Sequence, residues 1–181
     1  SLLLKTNSTL EKDDNSLLKD FPLKLHGVYT KAQIQVAIGT STLEKKSPSR
    51  EGAERNKALN LEAMFVDIIK NREEGSTTDY DDKALSPLLF QWDTQNSVRP
   101  ETSVGQAYIN QTQTMLLFVR EQNTFVEDKT RTMGYVYLGR VTLHSWEYKN
   151  IGTRKQMQIV WNMTEPIPGS VMHFARIREI A

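Results

Sequence analysis

LLFQWDTQNSVRPETSVGQAYINQTQTMLLFVRE, residues 88–121, sets two apolar runs, LLFQW and MLLFV, on either side of a segment dense in amides and hydroxyls. The runs read as strands. Between them stand Asp93, Thr94, Gln95, Asn96, Ser97, Arg99, Glu101, Thr102, Ser103 and Gln106, with only Val98 and Val104 as large aliphatics before Tyr108 and Ile109. Buried amides and hydroxyls must all find partners, so this composition makes a poor core strand. It suits an arm that reads something polar. Asn and Gln fit adenine edges, Arg fits guanine, and Ser and Thr suit phosphates or either base type. A solvated hairpin loop is the plainer alternative.

Outward from this stretch the chain alternates short strands with polar connections. Leu61–Ile69 (LEAMFVDII) is a strand candidate, as are Pro22–His26, Met115–Arg120 and Met157–Met163, and Gly134–Trp146 reads as one long strand or two with a kink at Gly139. Thr30 is placed to cap a helix carrying Ile34, Ala37 and Ile38 on one face, and Gly39 ends it. Gly105–Asn110 reads as one helical turn, and the period of Val171–Ile180 fits a strand or a helix. Thr40–Lys57 reads as a loop with solvated charges, and Gln122–Arg131 as a polar loop. Many short strands without a βαβ rhythm predict a β-rich (α+β) fold, barrel-like, with one or two short helices. Residues 1–20 are expected to be an N-terminal lead-in and 21–181 one domain.

At 181 residues the chain is long enough for a sizeable core, and 38 % hydrophobic with 25 % charged residues indicates a globular protein. No apolar run is long enough to cross a bilayer, and Ser1–Leu4 is followed by nothing like a cleavage site. The absence of cysteine removes disulfides and thiolate metal sites and fits a cytoplasmic protein. Net charge is only +1, whereas nucleic-acid binders usually carry a basic footprint. The charge is uneven, with eight Lys/Arg against five acids in 1–50, six against eleven in 51–110 and nine against six in 111–181.

Catalytic constellations are missing. His26, His144 and His173 are far apart, and none begins a His–x–Lys pattern, because Val28, Trp146 and Ala175 stand where lysine is needed. There is no phosphate-loop Gly–Lys–Ser/Thr, no His–Glu–x–x–His and no Gly–x–Ser–x–Gly. Asp79, Asp81 and Asp82 have the oxygen ligands of a hard-cation site but not its loop pattern, so neither a metal nor a cofactor is expected.

The order FQWDTQNSVRPET…GQAYIN…LLFVRE resembles the C-terminal domain of bacterial phospholipase-D-type nuclease–helicase restriction systems of the NgoAVII and SauUSI kind. PLKLHGVYTKAQIQVAIG at 22–39, ALSPLLFQW at 84–92, YVYLGRV at 135–141 and MQIVWNMTEPIPGSV at 157–171 extend the likeness over most of the chain. The same region is similar to the plant B-three DNA-binding domain. The resemblance implies a seven- or eight-stranded open pseudobarrel whose two arms grip the DNA major groove. It also implies a restriction endonuclease whose nuclease and helicase/ATPase parts lie outside this stretch, so the fragment itself is expected not to be an enzyme.

The two polar segments that interrupt strands are the natural arms. The first offers Lys70, Asn71, Arg72, Ser76, Thr77, Thr78 and Tyr80, with the two cations for phosphates and the hydroxyls as short donors. The second, Trp92–Ser103, offers Gln95, Asn96 and Arg99 for bases, with Asp93, Ser97 and Thr102 beside them and Trp92 as a core anchor. Arg120 and Lys155 are further candidates for phosphate. The family pattern has more Ser/Thr where this chain has Val98–Arg99, so no base preference carries over. Two other functions fit the same residues. One is a reader of modified cytosine, with a pocket lined by Tyr135, Trp146 and Tyr148. The other is a module that joins nuclease and helicase subunits without touching DNA.

Overall fold

Leu61–Asp67 and Thr114–Arg120 are apolar at almost every position, and their pairing in the computed structural model explains why. The structure describes residues 20–49, 52–69, 81–151 and 154–176. The two stretches are strands β3 and β6, lying parallel in register from Leu61↔Thr114 to Asp67↔Arg120. Both faces of this pair are covered. Met64, Val66, Leu117 and Val119 point into one core, with Phe90, Trp92 and Trp161, whereas Leu61, Ala63, Phe65, Leu116 and Phe118 point into the other. That second core is closed by Ile34 and Ile38 of helix α1 (Lys31–Ala37). Strands buried on both sides lose the alternation that marks a half-exposed strand.

The remaining strands are β1 (Val28–Tyr29), β2 (Ala53–Asn56), β4 (Lys83–Ser86), β5 (Leu89–Asp93), β7 (Tyr135–Ile151) and β8 (Arg154–Met163). Helices α2 (Ser103–Ile109) and α3 (Gly169–Ala175) complete the described elements. The eight strands form one sheet in the order β2-β3-β6-β7-β8-β5-β4, with β1 on β7. All pairs except β3–β6 are antiparallel. The end strands β2 and β4 do not meet, so the sheet is an open, β-rich pseudobarrel, as the strand count and resemblance led us to expect. Three short helices lie among the described residues.

Thr30 caps α1 in a full capping box with Gln33, and Gly39 takes the left-handed conformation (φ 79°) that ends it. Gly139 sits at φ 90°, beside the register shift of β6 against β7 between Leu117 and Phe118, and so supplies the expected kink. Beyond it β7 runs on to Ile151, well past the expected end at Trp146, because β8 pairs with it to the tip.

Two expectations need correcting. Pro22–His26 is not a strand; the strand on that side is β1, preceded by the His26 N–H donating to Tyr137 O at 2.7 Å. The expected loop Thr40–Lys57 contains β2, drawn into the sheet by β3. Its Glu54 is buried and accepts from Gln35 Nε2 at 3.0 Å and from the Ser47 hydroxyl, rather than standing in water. The ambiguous C-terminal stretch is helical over Gly169–Ala175, burying Val171 and Ala175 one turn apart. No helix among the described residues is long and apolar enough to cross a membrane.

Candidate functional site

Strand directions bring several connections to one end of the sheet. β2, β5 and β7 finish there, while β3, β4, β6 and β8 begin there. The second arm leaves β5 at this end, and its root is stitched down by polar side chains. Asp93 is 3 % exposed, and its carboxylate accepts from the Asp81 backbone N–H at 2.7 Å and from Gln158 Nε2 at 3.0 Å. The Asp93 N–H in turn donates to Asp82 Oδ1 at 2.8 Å. Fully buried Thr94 bonds Met157 O through both its N–H and its hydroxyl, and Gln156 Nε2 donates to Thr94 O. Asp93 is therefore the clip between the two arm roots, and its carboxylate does not face outward.

From Thr94 the chain makes a short tethered loop, not a projecting finger. Val98 inserts into the core, 7 % exposed, and its N–H donates to Gln95 O. Thr102 caps α2, accepting from the Gly105 N–H at 3.1 Å while its hydroxyl donates to Arg99 O at 2.7 Å. Gln106 Nε2 reaches back to Pro100 O at 2.6 Å. A Cβ on Gly105 would lie 2.0 Å from Arg99 O, so only glycine lets the loop close on the helix. Thr102 thus serves the helix and not a ligand. Asn96, Ser97 and Arg99 are exposed at the turn, and Gln95 is half-buried beside them. Trp92 is a core anchor, as expected, packed edge-on to Tyr108 at 5.5 Å.

The first-arm candidates Lys70, Asn71, Arg72, Ser76, Thr77, Thr78 and Tyr80 lie outside the described residues. Where the chain re-enters, Asp81 bonds Lys83 and Gln91 in addition to Asp93. Lys57, Lys83, Arg99, Lys149 and Lys155 share this end of the sheet with Asp81, Glu101 and Glu147. Lys83 is paired with Asp81 at 3.0 Å and Lys149 with Glu147 at 3.3 Å. Arg120 lies at the other end. Its guanidinium binds both Asp67 oxygens, at 2.6 and 3.1 Å, donates to Met133 O at 3.1 Å and stacks on Tyr135. It is a structural cation, not a phosphate contact.

Tyr135, Trp146 and Tyr148 do not form one pocket. Tyr135 is buried in the second core against Phe65, whereas Trp146 and Tyr148 sit on the β7–β8 ribbon with Lys155 over the Tyr148 ring.

A cleft of about 790 Å³ opens instead between β2 and the second arm, lined by Ala53, Arg55, Lys57, Gln95, Val98 and Val104 among others. Four buried polar residues line it: Glu54 of β2, Glu62 of β3, Tyr108 of α2, and Gln113 just before β6. Glu62 accepts from the Tyr108 hydroxyl at 3.1 Å and from Gln113 Nε2 at 2.6 Å. Burial holds the Glu62 carboxyl above its usual range, opposed by those two bonds and by Arg55. Burial, the Glu62 charge and the bond to Glu62 all push the Tyr108 hydroxyl upward. A charged residue inside the apolar run LEAMFVDII was the one sequence sign of this cluster.

The shift at Glu62 has a testable consequence. Its folded pKa is raised, so the contribution it makes is intact below the unfolded carboxyl pKa and is lost as pH rises through the folded one. Urea midpoints of the wild type should fall across that window, and Glu62→Gln should remove that part of the slope. An identical pH profile for the variant would show that the burial is relieved.

Residues 23–174 match a family described as Domain of unknown function (DUF3427), and since this is more than half of the chain, the protein belongs to that family. No curated protein matches it.

Proposed function

We propose that this DUF3427 member is a sequence-specific recognition domain for double-stranded DNA. It serves a cytoplasmic restriction endonuclease whose nuclease and helicase/ATPase parts are separate from this domain. One observation carries the reading. The second arm exposes Asn96, Ser97 and Arg99 together on a loop clamped at both ends, by Thr94 to β8 and by Thr102 and Gly105 to α2. Donors and acceptors held on a rigid turn lose little entropy on docking, and these residue types match base edges and phosphates. The Asp93 clip holds the backbone at Asp81 and the Asp82 carboxylate beside this turn. With Lys83 and Lys149 held by Asp81 and Glu147, the cations offered to the backbone at this end of the sheet are Lys57, Arg99 and Lys155.

Binding to short duplexes selected from a random pool, followed across a salt series, tests the proposal. Affinity should fall steeply with salt and differ between selected and scrambled sites. Arg99→Ala is expected to cost about 1–3 kcal/mol and to relax the preference at one base pair. A flat salt response, or equal binding to every sequence, would remove the idea. Tight binding to a partner subunit with no affinity for any duplex would establish the interaction module in its place.

A further inference from the structure

The floor of the cleft between β2 and the second arm is rich in hydrogen-bond acceptors. Glu62 is 6 % exposed and Gln113 is 7 % exposed, yet both line the open space. Gln113 spends its amide N–H on Glu62, and its Oε1 is buried with no hydrogen-bond partner. A buried acceptor left unmatched is costly, and a ligand carrying the right donor recovers that cost on binding. The two bonds that Glu62 receives are both donations to it, one to each oxygen, as an acceptor-only carboxylate requires. A group seated on this floor must therefore present donors side by side. Val98 and Val104 give it apolar walls, and Arg55 and Lys57 add two cations to its lining, which suits a base that carries a phosphate.

We propose that this cleft binds a guanine-type base, whose ring N–H and exocyclic amine are adjacent donors, through Glu62 and Gln113 Oε1. Cytosine and adenine present a ring-nitrogen acceptor next to the amine, which would face an acceptor here. The volume lies within the range of pockets that enclose small ligands, about 300–1,000 Å³. The base can come from a free nucleotide or from an unpaired position in nucleic acid. Only the second source rests on the DNA-recognition reading.

The test is calorimetric titration of the whole chain with guanosine, inosine, cytidine and adenosine monophosphates, and with single-stranded oligonucleotides of each base. Guanosine monophosphate should bind, and inosine monophosphate, which lacks only the amine, should bind on the order of tenfold more weakly. Glu62→Gln should lower guanosine affinity by a similar factor. The inosine comparison uses unaltered protein, so it stands even if the variant unfolds. Binding of the mononucleotide alone assigns the site to free nucleotide, and tighter binding of guanine oligonucleotides assigns it to nucleic acid. Equal binding of all four nucleotides, or none, overturns the proposal. Duplex recognition that is sensitive to Arg99→Ala but accompanied by no guanine binding removes the cleft assignment alone. Guanine binding without duplex affinity removes the DNA reading and keeps the cleft.

Discussion

Arg120→Ala is expected to lower unfolding free energy by about 3–5 kcal/mol, measured by urea denaturation, while leaving the proposed duplex recognition intact wherever the protein remains folded. The side chain is nearly buried, and its removal strands the Asp67 carboxylate, which is left with neither of the two guanidinium bonds at 2.6 and 3.1 Å. It also frees Met133 O and takes away the cation stacked at 4.2 Å on Tyr135. Breaking one side of such a pair is costly because the other charge stays behind in a poor solvent. The double variant Arg120→Met with Asp67→Leu removes both charges and should recover much of the loss. If Arg120→Ala instead left stability untouched and weakened duplex binding with a shallower salt slope, the residue would be a phosphate contact after all.

Asp93→Ala should cost about 3 kcal/mol and, unlike Arg120→Ala, should also abolish duplex discrimination. Two donors, the part-buried Asp81 N–H and the buried Gln158 Nε2, lose their acceptor, at about 1–3 kcal/mol each. The same carboxylate is what joins the end of the first polar segment to the start of the second, so losing it unties both at once. Asp93→Asn keeps one acceptor oxygen and should cost about 1 kcal/mol, with discrimination largely kept. Amide exchange would report the difference directly, through faster exchange at Asp81 and Thr94 in the alanine variant. Slow exchange there in Asp93→Ala would mean that Gln156 and Met157 hold the arm without the clip.

The strand content was legible because apolar runs such as LLFQW, MLLFV and LEAMFV are the local signature of strands. Thr30, Gln33 and Gly39 marked α1 because capping chemistry acts within one turn of the chain. β2 was not legible. Ala53–Asn56 has no apolar pattern and is a strand only because β3 offers it a ladder. Arg120 and Asp93 were misread for a related reason. A charged or acidic residue beside a polar loop looks solvent-facing in sequence, and its partners here, Asp67 and Gln158, lie 53 and 65 residues away. Gly105 did carry a signal, a glycine in the first turn of a helix, but what forces it is the carbonyl of Arg99.

By itself, then, the chain of residues determined a β-rich domain with short helices, a polar interruption after Trp92, and the lack of any recognised catalytic set. Those properties come from spacing, capping and composition, which act between neighbours. Only the tertiary structure decided which polar groups are spent inside the molecule and which remain on its surface. It turned Asp93, Thr102 and Arg120 inward to partners and left Asn96, Ser97 and Arg99 outside. It also gathered Glu62, Tyr108 and Gln113 at the floor of one cleft. The reason is that a buried polar group must be satisfied by whatever the fold brings near it, and that neighbour is set by strand pairing across the sheet and not by position along the chain.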